Sequence, residues 1–236
     1  MQWFYMIDPL AEKYYSISPS VYVANNPLRY IDPTGGKIVD ANGNAIYTHK
    51  GGWVANAPAD AMRIGTALMA TQAGTEQWNN AVNSNTNIEL EISSQTIVDG
   101  NSYRMGRMIP GEGHIGSDGN YQLENAKIVI YEGTINQFMN DSKNSRDPRA
   151  VAYQKNTTTN DERIAAVAGH EIKHTDQDNL NQNYENMHKG ASHNLEIAPV
   201  SVELKILHET GINRLRALPP IQPIQSSIQV PILDYE

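Results

Sequence analysis

The sequence predicts an α+β domain built on a small mixed sheet. Two stretches have strand character. In "NIELEIS" Ile88, Leu90 and Ile92 alternate with polar residues, and "AKIVIYE" carries the β-branched run Ile128-Val129-Ile130. Helical spacing is clearest downstream, where Ile164, Val167, Ala168, Glu171 and Ile172 recur on one face. The 236 residues suffice for one substantial domain with attached segments.

The elements follow in order. Residues 37–54 alternate around Asn42-Gly43 and predict a hairpin. Met62, Ile64, Ala67, Leu68 and Ala70 predict a helix over 58–72, and 75–84 a second, shorter one. The two strands lie at 87–93 and 126–132. A helix is expected over 134–142 and a loop over 155–160. Thr159 and Glu162 have the spacing of a capping box, which starts the best-defined helix of the chain. A later helix over 199–211 has Pro199 in its first turn and Gly211 as its C-terminal cap. Residues 219–236, rich in Pro, Gln and Ser, read as an extended tail.

Composition narrows the function. With 26 acidic against 18 basic residues the net charge is -8, which argues against nucleic acid or an anionic membrane as the main partner. There is no cysteine, so any metal site must be built from His, Asp and Glu. No apolar run approaches the ~20 residues that a membrane span requires. The first ten residues lack the basic and apolar regions of a signal peptide.

One motif carries chemistry: His170, Glu171 and His174 stand in the pattern His-Glu-x-x-His within the capped helix. Residues four apart share a helix face, so both imidazoles can meet one ion. The glutamate then sits beside that ion, where it can deprotonate a zinc-activated water. Chance alone yields the pattern in roughly one chain in a hundred of this length. Its place inside a capped helix, behind candidate strands, adds weight. The strand over 126–132 is a candidate edge along which an extended peptide lies.

A catalytic zinc needs a third protein ligand. Gln177 and Leu180 stand where a metzincin has its Gly and final His, which excludes that subclass. The sequence resembles a gluzincin, a zincin-like metallopeptidase in which a downstream helix supplies a glutamate. Glu196, 22 residues after His174, is the favoured ligand; Glu203 is a substitute or a second carboxylate behind the ligands, and His188 a weaker rival. Asp176, or Asp178, can orient a ligand imidazole. His193 and His208 are candidate transition-state stabilisers, although a surface position is the commoner reading for both. His114 sits in a Gly-rich loop that can line the cleft.

A second resemblance lies at the N-terminus, over roughly residues 3–36. Asp8-Pro9-Leu10, Tyr14-Tyr15, Tyr22-Val23, Asn25-Asn26-Pro27 and Asp32-Pro33-Thr34-Gly35 resemble the end of the Rhs repeat-associated core domain. That family encloses a C-terminal toxin in a Tyr-Asp-repeat shell. The resemblance implies three parts: the core's end at 1–36, a zincin-like domain at 37–218 and the tail at 219–236. It implies a secreted or delivered effector acting on a protein or peptide substrate, with a cognate immunity protein and the remainder of the shell as partners. Self-cleaving relatives carry a larger apolar residue where Gly36 stands, which sets this chain apart from them. The alternatives are a catalytically inactive zincin-fold binding module and a self-processing peptidase that frees a toxin.

Overall fold

A computed structural model describes residues 37–217. The Rhs-like stretch and the C-terminal tail lie outside the described residues. The chain begins with three short strands, β1 (Ile38–Val39), β2 (Tyr47–Thr48) and β3 (Gly52–Trp53), followed by helices α1 (Ala59–Leu68) and α2 (Gln72–Asn83). Next come β4 (Asn87–Ser93), the β5–β6 pair (Val98–Asp99, Ser102–Tyr103), β7 (Gly106–Pro110), the β8–β9 pair (Gly113–Ile115, Tyr121–Leu123) and β10 (Asn125–Tyr131). Five helices complete the domain: α3 (Glu132–Asp141), α4 (Pro148–Asn156), α5 (Asn160–Lys173), α6 (Gln177–His188) and α7 (Ile197–Ala217).

The main sheet is mixed, in the order β1-β4-β10-β7. Strands β1, β4 and β10 run parallel, and β7 pairs antiparallel with β10. The strand expected at the edge is therefore interior: β10 is hydrogen-bonded on both sides, which matches its buried Ile128, Val129 and Ile130. The free edge is β7, whose Pro110 has no N–H to offer a further strand. The turn at Asn42-Gly43 forms as expected, clamped by the Asp40 carboxylate, which accepts from the N–H groups of Asn42 and Asn44. Its first arm, however, joins the main sheet beside β4.

Helix α5 lies at the centre. The nine consecutive residues from Ile164 to Ile172 are all buried, so this helix is core on every side. Small residues make that possible. At Gly169 an added Cβ would meet Ile206 Cδ1 at 2.3 Å, so α7 packs directly onto the α5 backbone. An aromatic cluster of Tyr47, Trp53 and Trp78, with ring centroids 5.0–5.4 Å apart, seats the β2–β3 hairpin on α1 and α2. Arg63 of α1 pairs with Glu132 and with Asp161, fixing the first turn of α5.

Gly211 is not a cap. Helix α7 runs on to Ala217, and Gly211 lies inside it, where Asn156 occupies the space a side chain would need. Two helices were not expected. Asp147 caps α4 by accepting from the Ala150 N–H, with Pro148 at its first position. Helix α6 is polar, burying only Asn179 and Leu180, and so has almost no apolar periodicity to betray it.

The capping box forms as expected: Thr159 Oγ1 accepts from the Glu162 N–H, and the Glu162 carboxylate accepts from the Thr159 N–H at 2.9 Å. Thr159→Ala removes half of it and is expected to cost about 1 kcal/mol. A urea titration checks this: the midpoint should fall with an unchanged slope. An unchanged midpoint would mean that the cap contributes nothing to the helix that carries the motif.

Candidate metal centre

The motif occupies the last turn of α5, with His174 as its C-cap. His170 Nε2 and His174 Nε2 stand 3.3 Å apart. Glu196 joins them, its Oε2 3.1 Å from His170 Nε2 and its Oε1 3.7 Å from His174 Nε2. One donor atom from each residue lies within 4.8 Å of the other two, a set that can hold a metal ion. A tetrahedral ion with bonds of about 2.0–2.1 Å separates its ligand atoms by roughly 3.3–3.4 Å, and the three observed separations bracket that value. The residues therefore fit the ion that the motif implies.

Glu196 is not on a helix. It precedes α7, its carbonyl accepting from the Val200 N–H and its own N–H held by Asn194 Oδ1. Pro199 explains this, because it confines the helix start to the residues just before it. Glu196 and Glu203 thus do not share a continuous helix face, and they do different things. Glu196 is 61% exposed and reaches the ion site from the surface. Glu203 is fully buried. Its Oε2 accepts from His170 Nδ1 at 2.9 Å, and Arg149 donates to both of its oxygens, Nε at 2.7 Å and Nη2 at 2.9 Å. A carboxylate on Nδ1 fixes the tautomer that leaves Nε2 with its lone pair toward the ion site.

Glu171 is buried and hydrogen-bonded through Oε2 to the Met108 N–H at 2.8 Å. That N–H points outward from β7, away from β10. Gly106, two residues earlier, makes the approach possible, since an added Cβ would lie 2.7 Å from both Glu171 Oε1 and Val167 Cγ1. Burial pushes the Glu171 carboxyl up to about 7, against the opposing pull of His170 and the Met108 N–H. Burial also acts to lower His170, but its bond to Glu203 outweighs this and leaves the imidazole above its ordinary value. His174 is held below its ordinary value by burial and by His170. For Glu203, burial acts upward, and the His170 and Arg149 contacts outweigh it to hold the carboxyl down.

The centre opens onto a cleft of about 440 Å3 between β7 and the helices. Several expected residues are elsewhere. Asp176 pairs with Lys173 and not with a ligand imidazole. His193 is exposed and bonded to Glu185 at 2.9 Å. His208 is exposed on α7, and His188 packs tilted against Tyr184; none of these lines the cleft. His114 lies on β8, paired with Glu124, also outside it. Sequence reasoning missed Gly106, Met108 and Arg149. Asp147-Pro148, a helix start just ahead of Arg149, is the one local signal that could have placed any of them.

No protein-family model, no curated protein and no solved structure matches this chain.

Two substitutions test the support of the centre. Glu203→Gln keeps the shape but not the charge, and metal affinity measured by chelator competition should fall by about 10–100-fold. An unchanged affinity would show that Glu203 does not set the His170 ring. Gly106→Ala overfills the contact with Glu171 and is expected to cost about 1–3 kcal/mol in chemical denaturation while metal binding persists.

Proposed function

We propose that this chain carries a zincin-like, gluzincin-type metallopeptidase domain that hydrolyses peptide bonds, delivered as the C-terminal effector of an Rhs-type polymorphic toxin. The observation that carries the enzymatic part is the convergence of His170, His174 and Glu196 on one point with the buried Glu171 carboxyl beside it. The delivery, the immunity partner and the shell rest on the resemblance over residues 3–36 alone. No helix among the described residues is long and apolar enough to cross a membrane.

His170, His174 and Glu196 would hold the metal, zinc being the ion whose ligand number and types the set matches. A bound zinc supplies Lewis acidity toward a peptide carbonyl and acidifies a water molecule to near neutrality. Glu171 takes the proton of the attacking water and returns it to the leaving amine. Burial works to raise its carboxyl, which makes it a stronger base for that proton. The Met108 N–H holds one oxygen of Glu171 and leaves the other for the proton. Glu203 and Arg149 keep His170 in place throughout.

Elemental analysis beside a peptide-library assay tests the proposal. Wild type and Glu171→Gln are expected to hold near-stoichiometric zinc and His174→Ala to hold none. Glu171→Gln should lose cleavage by about 10²–10⁴-fold. Zinc absent from all three after supplementation at neutral pH, or cleavage undiminished in Glu171→Gln, would sink it.

A further inference from the structure

The cleft in front of the metal centre differs in charge from the chain around it. Arg104, Arg107 and Arg149 line it, against two carboxylates, Glu171 and Glu196. Both carboxylates already have tasks, one beside the ion and one on it. Arg149 spends Nε and Nη2 on the buried Glu203, which locks the guanidinium plane. The side chain is still 39% exposed, and Nη1 donates to no group among the described residues. Arg104 and Arg107 lie just before and on the free edge strand β7; both are exposed, and neither pairs with an acid among the described residues. Arg149 is balanced by Glu203, but in a chain of net charge -8 the two unpaired guanidinium groups of Arg104 and Arg107 draw anions to the mouth.

We propose that the cleft selects peptides carrying a carboxylate close to the bond to be cut. Arg149 is the fixed contact, and Arg104 and Arg107 are the flanking ones. A guanidinium presents two parallel N–H groups to the two oxygens of a carboxylate, and an orientation set in advance removes part of the entropy cost of binding. The carboxylate comes either from an Asp or Glu side chain or from the end of the peptide, which present the same pair of oxygens. The fate of the bound peptide rests on the metallopeptidase reading; its capture does not.

The test uses the full chain with Glu171→Gln, zinc-loaded, and fluorescence anisotropy of three labelled peptides. One carries internal Asp or Glu and an amidated end. The second has Asn or Gln at those positions and the same amide. The third keeps Asn or Gln but ends in a free carboxylate. At low salt one carboxylate peptide is expected to bind roughly tenfold tighter than the amide peptide, and which one identifies the source. The preference should shrink at high salt and fall severalfold in Arg104→Gln/Arg107→Gln, whose exposed positions leave the fold intact. Equal affinities, including no binding of any peptide, overturn the proposal, as does a preference that the double substitution leaves undiminished. Wild-type cleavage of the same peptides judges the enzyme separately. A carboxylate preference without cleavage keeps this site and removes the peptidase; cleavage without the preference does the reverse.

Discussion

The carboxylate of Glu203 is shut off from water, and the placing of three helices depends on that one buried charge. A carboxylate in such surroundings is tolerated only when its oxygens are fully paired. Arg149 of α4 and His170 of α5 supply the partners, so the one carboxylate ties α7 to both α5 and α4. Removing one member of such a set typically costs roughly 3–5 kcal/mol, a large share of the 5–15 kcal/mol by which a domain is stable. The same bond that settles the packing also aims His170 Nε2 at the ion site. Fold and site are therefore joined through a single side chain.

Around that anchor the domain solves a second difficulty, which is to bury another carboxyl, that of Glu171. Glu171 sits in a helix with core on every side, and burial favours its protonated form. The Met108 N–H works in the opposite direction, and Gly106 supplies the room for the two to meet. The edge strand thus serves the helix as much as the sheet. Its outward N–H at Met108 goes to Glu171 and not to solvent, and Pro110 ends its ability to recruit a further strand.

Much of this was legible in the sequence where the signal is local. The capping box, the two seven-residue strands and the His-Glu-x-x-His spacing each depend on neighbours within a few residues, and each forms as the pattern dictates. Glu196 could be favoured because it lies 22 residues after His174, while Pro199 left its helical setting open. What was not legible depends on distant contacts. Gly211 has the look of a helix stop, yet Asn156 packs against it and α7 continues. The apolar run at 128–130 fits an edge or an interior strand equally well, and only the pairing of "GRMIP" beside it decides. Arg149 carries no sign of its role, since the residue it serves is 54 positions away. His193 and His208 lie close to Glu196 and Glu203 in sequence, but one is drawn to Glu185 and the other faces out along α7.

The three donors differ in how firmly they are held. The two imidazoles belong to a helix buried in the core, whereas Glu196 stands on a surface turn secured by Asn194 and the first turn of α7. Glu203 has its charge balanced by Arg149 whether or not an ion is bound, so the core needs no metal to close. Folding and any metallation would therefore be separable events in this domain. Glu196 already stands 3.1 Å from His170 Nε2, so an ion would meet a finished set of donors and could come and go past the exposed carboxylate without the protein unfolding.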